Sequence, residues 1–450
     1  MNLSFLLRER AAAGRPIRIG QIGAGKFGMM FLSQCRLTPG MHLVGLADLQ
    51  PERARERLLQ VAWPIEQTDA RSLGDALQTG KTHVTDDAMA LIACPEVDVI
   101  IEVTGDPAIG IRHALAAIDA GKHIVMVNVE ADALAGPLIA KRARERGVVY
   151  SMAWGDQPAL IAEHVDWARA CGFEVVCAGK GTRFLPAYHR STPDTLWDIL
   201  DKYLAITDRS QINPKMFNSF IDGSKSGIEM TAVCNATGLH AQSDGLSFPP
   251  ASRFEHAQIC KPKAEGGLIE KAGVTEVTSS VYRDGRDVPH HLAMGTYVVI
   301  ESDSAYTRSC FGEYNMLQDA SGKYAALYRP THMIGLELGI SVASAVLRRE
   351  PTGSAVCFNS DVVATAKRNL AKGEILDGEG GFCVWGKQTP AEVSLREGYL
   401  PLGLSHGVEL KVDVPEGQRL TWTDVAIDTT GFAYKFRREM EATFGHPSAA

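Results

Sequence analysis

The sequence has few of the features that mark membrane, nucleic-acid-binding or disulfide-stabilised proteins. Acidic residues outnumber basic ones by 53 to 46, so the net charge of −7 gives no general attraction for nucleic acid or anionic lipid. The best apolar candidate for a membrane span, 336–347, contains Glu337 and is too short. None of the nine cysteines forms a Cys-x-x-Cys pair, so reduced thiols are expected.

The start of the chain also lacks the charge order of a secretory leader. In MNLSFLLRER the basic residues follow the apolar ones, whereas a signal peptide places them before the apolar run. The composition, 45% hydrophobic and 22% charged, is that of an ordinary globular protein. We therefore predict a cytoplasmic protein with a small-molecule substrate, without a nucleic-acid or membrane partner.

The first 154 residues alternate between strand and helix patterns. Apolar strands are predicted at 16–23, 41–48, 97–105, 122–129 and 148–153, and helices at 26–37, 51–62, 86–93, 107–121 and 130–147. This order predicts an α/β fold with a doubly wound parallel sheet. The stretch 64–81 does not fit the alternation and is interpreted as an insertion.

From residue 155 the alternation gives way to a mixed pattern, and an α+β domain is predicted over 155–352. Its predicted elements are helices at 157–171, 217–239 and 331–349, strands at 173–181, 293–301 and 323–328, and a loop-rich region at 240–290. Short strands punctuated by Gly and Pro predict a small β-rich domain over 353–450, frayed from residue 440. We expect this domain to act as a lid or to contact a second copy in a homo-oligomer.

A glycine-rich loop, GAGKFG, follows the first strand and opens the first predicted helix after it. Gly23 allows a tight turn, Gly25 allows the backbone to approach a pyrophosphate, and Gly28 allows the helix to pack closely on the strand. Lys26 and Phe27 complete the loop at a helix N-terminus, which favours an anion. The sequence therefore predicts a Rossmann-type dinucleotide site.

Asp48 ends the second strand, at the distance from the loop where a carboxylate binds the adenosine ribose. It would accept both ribose hydroxyls and repel a 2′-phosphate, and Leu49 and Gln50 offer no compensating cation. Arg53 or Arg55 could still swing towards a 2′-phosphate. NAD(H) is therefore predicted over NADP(H), although Asp48 could also be only a cap.

Polar residues at the carboxyl ends of the other strands face the crevice in which an open α/β sheet binds its ligand. The predicted cofactor contacts there are Thr104, Gly105, Asn128 and Glu130. Glu130 and Asp156 could instead hold a divalent ion or cap helices. No spacing of His, Cys or carboxylates demands a metal.

Four charged residues are predicted to carry the chemistry. Lys180 stands between two glycines at a strand end, where a ligand could approach closely. Asp222, Lys225 and Glu229 would share one face of a regular helix. A lysine beside a carboxylate can donate to a developing alkoxide or move a hydroxyl proton, but the same set could be a solvated ion pair on a surface helix.

Five further residues are predicted to contact the substrate. Asn235 is either a polar contact or a buried cap. Lys261 and Lys263 flank Pro262, and Arg329 and His332 flank Pro330 at a predicted helix start, where an anion would be favoured. These cations could bind a phosphate, or the two lysines could be ordinary surface.

Several long segments resemble the DXR-like (DRL) oxidoreductases. The resemblance is carried by GQIGAGKFG, VDVIIEVTG, HIVMVNVEADALAGP, EVVCAGKG, FIDGSKSGIEMTAVCNATGL, EGGLIEKAGV and YRPTHM, between about residues 14 and 430. It implies an N-terminal domain near that of homoserine dehydrogenase, a family-specific catalytic domain and a C-terminal SAF domain. It also implies conversion of 1-deoxy-D-xylulose 5-phosphate to 2-C-methyl-D-erythritol 4-phosphate, in isoprenoid biosynthesis, with a nicotinamide cofactor.

Two positions depart from what the resemblance implies. Homoserine dehydrogenases have a lysine next to the asparagine after the 122–127 strand, whereas this chain has Asn128, Val129 and Glu130. Family members active on the phosphosugar carry Ser/Arg-type residues where Asp48 stands. The alternatives are therefore an NAD-dependent dehydrogenase of a related sugar or sugar acid that does not rearrange it, and a non-catalytic sensor of dinucleotide or sugar.

Overall fold

The structure is a computed structural model that describes residues 2–202, 209 and 212–445. It divides into two compact units, Met1–Leu160 with His332–Val356, and Ile161–Thr331 with Cys357–Ala450. The domain boundaries expected from the sequence, at 154 and 352, stay a prediction. None of the described helices has the length and apolar character that crossing a bilayer requires.

The first unit is built on one parallel sheet. Its strands are β1 (Ile17–Ile22), β2 (Met41–Ala47), β3 (His83–Thr85), β4 (Val99–Glu102), β5 (His123–Met126) and β6 (Tyr150–Met152). Their order is β3-β2-β1-β4-β5-β6, and every pair is parallel. The predicted α/β fold class is confirmed.

Helices follow the strands as the sequence pattern predicts. They are α1 (Leu3–Ala12), α2 (Lys26–Cys35), α3 (Pro51–Gln60), α4 (Leu73–Thr79), α5 (Ala88–Ala93), α6 (Pro107–Asp119), α7 (Val129–Arg146) and α8 (Gln157–Ala170). The boundary between the two units along the chain falls inside α8. Pro51 occupies the first turn of α3, where its missing N–H costs nothing. Gly147 ends α7 in the left-handed conformation.

The stretch 64–81 is not an insertion outside the alternation. It contains α4 and leads into β3, which pairs with β2 at the edge of the sheet. β3 has three residues, of which only Val84 is buried. A strand of this length is too short for an alternation of polar and apolar residues to reveal it.

The second unit contains a mixed sheet. Its strands are β7 (Glu174–Thr182), β8 (Val274–Ser279), β9 (Thr296–Glu301), β10 (Leu317–Gln318) and β11 (Tyr324–Arg329), in the order β10-β11-β9-β7-β8. Its helices before residue 331 are α9 (Trp197–Leu200), α10 (Pro214–Ile221), α11 (Ser224–Thr237), α12 (His256–Ile259) and α13 (Ala305–Glu313). β8 lies in the region predicted to be loop-rich, and it is fully buried beside β7.

The long helix predicted over 217–239 is broken into α10 and α11. Gly223 has φ +89°, a conformation that favours glycine, and the Asp222 carboxylate accepts a hydrogen bond from the Ser224 N–H at 2.8 Å. The backbone therefore turns between the two helices, and residues on either side of Gly223 do not continue one helical face.

The helix predicted over 331–349 begins eight residues late. The chain returns to the first unit as α14 (Gly339–Ala343), followed by a π-helical turn over Ser344–Arg348. Gly335 has φ +78°, and a Cβ there would lie 2.6 Å from the Met30 Cβ and 2.7 Å from the Phe27 carbonyl oxygen. Close packing of this turn against α2 excludes a helix at these residues.

The C-terminal segment packs on α11. It comprises β12 (Ser360–Ala366), β13 (Ile375–Asp377), β14 (Val384–Pro390), α15 (Ala391–Glu397), β15 (His406–Leu410), β16 (Val425–Ala426) and α16 (Phe432–Phe444). The Gly386 N–H on β14 donates to the Ser224 hydroxyl at 2.8 Å. The prediction of a frayed end from 440 is wrong as far as 444, because α16 buries Phe436, Arg437 and Met440; residues 446–450 lie outside the described ones.

Candidate active site

The glycine-rich loop joins β1 to α2 with the geometry that a dinucleotide site requires. Gly23 has φ +105°, and a Cβ there would lie 2.8 Å from the Val103 carbonyl oxygen. A Cβ on Gly28 would lie 2.7 Å from Gln21 Nε2 and 2.8 Å from the Gly23 oxygen, so α2 packs directly on the loop. Gly25 has open space around its Cβ position, and no side chain caps α2 there. The loop thus leaves an accessible helix N-terminus for an anion.

The other two loop residues differ in exposure. Lys26 is exposed in the first turn of α2, whereas Phe27 is half-buried and packs against the core of the first unit. Phe27 therefore supports the loop, and Lys26 remains a predicted contact of the cofactor.

Asp48 is fixed by backbone donors. The Ala24 N–H donates to one carboxylate oxygen at 2.8 Å and the Gln50 N–H to the other at 3.0 Å. Leu49, the next residue, is 93% exposed. Because the carboxylate is tied to the glycine-rich loop, it cannot turn away easily from a ribose placed beside that loop.

The two arginines that could offset the Asp48 charge behave differently. The Arg55 guanidinium donates to the carbonyl oxygens of Thr68 at 2.8 Å and Val84 at 3.3 Å, which holds it against the edge of the sheet. Arg53 is exposed on α3. Only Arg53 of this pair is thus left to swing towards a 2′-phosphate, and NAD(H) preference remains a prediction.

Replacing Asp48 with alanine should narrow the difference between NADH and NADPH affinity by about tenfold. The change removes both the ribose acceptor and the charge that repels a 2′-phosphate. Titration of the full chain with each reduced cofactor measures this. Glu52→Ala, which removes an 88% exposed carboxylate from α3, is the control and should leave the ratio unchanged. A wild-type chain that binds NADPH as tightly as NADH would contradict the prediction.

The predicted contacts at the ends of β4 and β5 are partly used within the fold. The Thr104 hydroxyl donates to the buried Glu102 carboxylate at 2.5 Å, and Gly105 adopts φ +80° with open space around it. Asn128 caps α7 by accepting from the Ala131 N–H at 3.1 Å and donates to the Asp106 carbonyl at 2.8 Å. Asn128 therefore orders the strand end itself.

The two acids considered for a divalent ion lie in the first unit. Glu130 is half-buried in the first turn of α7, and Asp156 is buried and accepts from the Gln157 N–H at 2.9 Å. Within the described ranges no group of three or more His, Cys, Asp or Glu side chains could hold a metal ion. A metal at either acid is not supported by this geometry.

Lys180 and Glu229 form a buried ion pair between β7 and α11. Their side chains are 5% and 2% exposed. The glycines beside Lys180 serve strand packing rather than ligand approach, which corrects the sequence interpretation. A Cβ on Gly179 would lie 1.8 Å from the Glu276 oxygen, and one on Gly181 would lie 1.9 Å from the Leu292 oxygen.

Asp222 pairs with a residue that the sequence reasoning missed. Lys367, directly after β12, places Nζ 2.7 Å from the Asp222 carboxylate and donates to the carbonyls of Ser191 and Gly381, each at 2.7 Å. Burial raises the pKa of Asp222, and the Lys367 ammonium acts in the opposite direction. The only sequence signal for Lys367 is its place directly after the strand SDVVATA, all of whose residues are buried.

The regular helix that would place Asp222, Lys225 and Glu229 on one face is not present, because Gly223 breaks it before Lys225. Lys225 and Glu229 remain four residues apart on α11, whereas Asp222 ends α10. Lys225 is half-buried, with Nζ 5.9 Å from the Phe220 ring centre. The predicted cluster is instead two buried ion pairs, Lys180–Glu229 and Asp222–Lys367, with Lys225 on the first turn of α11.

Asn235 joins α11 to the start of β12. Its side-chain oxygen accepts from the N–H groups of Asn359 at 2.8 Å and Ser360 at 3.0 Å, and its amide donates to the Ser360 carbonyl at 3.1 Å. The side chain is fully buried. This favours the structural alternative over a substrate contact.

The predicted phosphate cations lie in different surroundings. Lys261 is buried against Asp319, with Nζ 2.8 Å from the carboxylate, and Lys263 is exposed. Arg329 ends β11 and donates to the Thr331 carbonyl at 3.1 Å, while His332 belongs to the other unit. Because no helix begins near residue 331, the reason for placing an anion at Arg329 and His332 is lost.

Comparison with known proteins identifies two domain families. The family described as "Oxidoreductase DRL, catalytic domain" matches residues 155–338, and "Homoserine dehydrogenase, NAD binding domain" matches residues 38–151. The Lys180, Asp222 and Glu229 side chains lie within the first match, whereas Lys367 lies outside it.

Curated relatives match only part of their length. A homoserine dehydrogenase from Pseudomonas aeruginosa is 25% identical over 273 residues, 59% of this chain and 58% of the relative. A 1-deoxy-D-xylulose 5-phosphate reductoisomerase from Heliobacterium modesticaldum is 31% identical over 153 residues, 33% of this chain and 36% of the relative. The chain thus spans less than two thirds of each of these relatives.

Among solved structures, an NAD binding oxidoreductase from Klebsiella pneumoniae is 16% identical, with a TM-score of 0.33, over 70% of this chain and 66% of that one. So low a score adds nothing to the assignment, which depends on the two domain families. The similarity of residues 155–338 to the DRL oxidoreductase catalytic domain and of residues 38–151 to the homoserine dehydrogenase NAD-binding domain confirms the predicted class of NAD(P)-dependent oxidoreductase.

Proposed function

We propose that the chain reduces or oxidises a small hydroxylated sugar. The specific reaction that we propose is the conversion of 1-deoxy-D-xylulose 5-phosphate to 2-C-methyl-D-erythritol 4-phosphate. The observation that carries the proposal is the buried Lys180–Glu229 pair within the DRL catalytic domain. Three of the curated relatives are named 1-deoxy-D-xylulose 5-phosphate reductoisomerase, one of them 44% identical over 99 residues.

In the proposed reaction, separate residues would bind the cofactor and act on the substrate. The loop from Gly23 to Gly28 would bind the pyrophosphate, and Asp48 would bind the adenosine ribose. The nicotinamide, when bound, supplies or accepts the hydride. Lys180 would donate a charge-assisted hydrogen bond to the substrate oxygen on which negative charge develops, and Glu229 would orient the ammonium.

Two observations favour the second candidate, an NAD-dependent dehydrogenase of a related sugar or sugar acid that does not rearrange it. Asp48 is fixed in the geometry that suits an unphosphorylated ribose. The Lys261 ammonium, predicted to bind phosphate, is already paired with Asp319. An NAD-dependent enzyme needs no site for a cofactor 2′-phosphate, and an unphosphorylated sugar needs no site for a substrate phosphate.

Incubation of the purified chain with 1-deoxy-D-xylulose 5-phosphate and either NADH or NADPH separates the candidates. The reductoisomerase predicts loss of the reduced nicotinamide absorbance and a branched product. Cofactor oxidation with an unbranched product would favour the simple dehydrogenase. If neither cofactor is oxidised, the reductoisomerase proposal is wrong.

Lys225 is expected to contribute to turnover more than to folding. Lys225→Met should lower turnover by about a hundredfold if its ammonium reaches the substrate. Lys271→Met, which removes an exposed lysine from the same unit, is the matched control. Unchanged turnover in Lys225→Met would show that Lys225 only forms surface interactions.

We also propose that the chain works as a homo-oligomer in the cytoplasm. The proposal is supported by the short strands of the C-terminal segment, some of only two or three residues, which seldom form an independent core. Light scattering of the full chain tests the oligomer, and a monomer mass at working concentration would contradict it.

A further inference from the structure

The imidazole of His189 is held in a slot between aromatic side chains. His189 lies in the 3₁₀ turn Pro186–Arg190 that follows β7. Its ring stacks on Trp385 of β14, with ring centres 3.6 Å apart and planes 20° from parallel, and the Phe184 ring centre is 4.8 Å away. The ring therefore has little freedom to rotate.

The hydrogen bond of His189 fixes its tautomer. Nδ1 lies 2.8 Å from the Asp222 carbonyl oxygen, which can only accept a hydrogen bond. Nδ1 must therefore carry the proton, and in the neutral ring Nε2 keeps its lone pair. The break at Gly223 makes this contact possible, since a Cβ on that residue would lie 3.3 Å from His189 Cε1.

The surroundings keep the imidazole neutral. Burial, partly offset by the hydrogen bond to the Asp222 carbonyl and assisted by the nearby Lys387 and Lys367, lowers the pKa of His189 to about 4. Within the described residues no group forms a hydrogen bond with Nε2, and this nitrogen is not among the buried polar atoms. A neutral, oriented acceptor is thus accessible beside the Asp222–Lys367 pair.

We propose that His189 Nε2 accepts the proton of a substrate hydroxyl, an inference that rests on the proposed function. In this step the O–H bond breaks, its proton moves to Nε2, and the electron pair stays on oxygen. That pair then forms a C=O bond as the adjacent C–C bond breaks in the rearrangement, and the electrons of the broken bond pass to the ketone oxygen of the substrate as an enolate. In a dehydrogenase the same pair would form the C=O bond as the alcohol carbon loses a hydride, which a bound nicotinamide would accept.

At Nε2 the geometry suits a substrate hydroxyl better than an anionic oxygen. A lone pair attracts a donor and repels a carboxylate or phosphate oxygen. Lys180 can only donate, so Lys180 and His189 together provide the donor and the acceptor that oxidation or cleavage of an alcohol requires. Both belong to the second unit, on or just after β7.

Replacing His189 with alanine should lower turnover by about a hundredfold or more and leave cofactor affinity unchanged. Added imidazole can occupy the slot beside Trp385, donate to the Asp222 carbonyl and present a lone pair, so it should restore part of the lost turnover. Pyrrole has the same ring size and N–H but no basic nitrogen, and it should restore none. Equal rescue by both compounds, or rescue by neither, would overturn the inference.

A second readout does not depend on turnover. In full-length protein labelled with ¹⁵N-histidine, His189→Asn identifies the His189 signals, and they should report a protonated Nδ1 and an unprotonated Nε2. Addition of 1-deoxy-D-xylulose 5-phosphate should shift the Nε2 signal, and an unshifted signal would overturn the inference. Failure of the proposed function is seen separately, as a wild-type chain that turns over no sugar with either cofactor.

Discussion

Lys180→Met should reduce turnover by on the order of a hundredfold or more while cofactor affinity stays unchanged. The ammonium is the charge-assisted donor that the proposed reaction needs, and methionine keeps the length of the side chain without the charge. The substitution also leaves the Glu229 carboxylate buried without its partner, which costs about 3–5 kcal/mol of unfolding free energy. Turnover must therefore be expressed per folded molecule.

A double variant separates chemistry from stability. Lys180→Met with Glu229→Gln removes both charges, so most of the unfolding free energy should return while turnover stays low. Arg437→Met is the control for loss of a buried cation, because Arg437 pairs with Asp361 and Glu441 and belongs to neither of the two ion pairs Lys180–Glu229 and Asp222–Lys367. If the double variant regains both stability and turnover, Lys180 has a structural role only.

Lys367→Met should lower the unfolding free energy of the chain by about 3–5 kcal/mol, measured in urea. Asp222 is fully buried, and Lys367 is the charged partner of its carboxylate. Without the ammonium, Asp222 must be neutralised, and the carbonyls of Ser191 and Gly381 lose a shared donor. Such a loss of stability would show that the C-terminal segment, through Lys367, helps to hold the candidate site together.

The conservative variants sharpen this test. Asp222→Asn with Lys367→Met removes the buried charge and should recover a large part of the lost stability. If Asp222 takes part in the reaction, this double variant should remain slow although it folds. A Lys367→Met chain as stable as the wild type would contradict the buried ion pair.

Features that depend on local pattern could be predicted from the sequence. Apolar runs such as 97–105 predicted the parallel strands, because a strand that is covered on both faces needs apolar side chains along its length. The GAGKFG spacing predicted the loop because Gly23 and Gly28 meet local steric demands, as the short distances from their Cβ positions show. These features depend on neighbours in the chain.

Features that depend on distant residues could not be predicted. The Asp222–Lys367 pair joins residues that are 145 positions apart, so no helical spacing could reveal it. Gly223 and Gly227 both interrupt the helical pattern, and the sequence could not tell that the helix breaks at Gly223, with φ +89°, but continues through Gly227. The absence of a helix at 331 follows from Gly335 packing on α2, which is again a tertiary contact.

Transfer of deuterium tests the central claim most directly. The full chain is incubated with 1-deoxy-D-xylulose 5-phosphate and NADH or NADPH deuterated at the transferable position of the nicotinamide, and the sugar products are examined by mass spectrometry and NMR. The account predicts one deuterium on carbon in a branched sugar product, formed far more slowly by Lys180→Met. Absence of deuterium from every sugar product with both cofactors would contradict it.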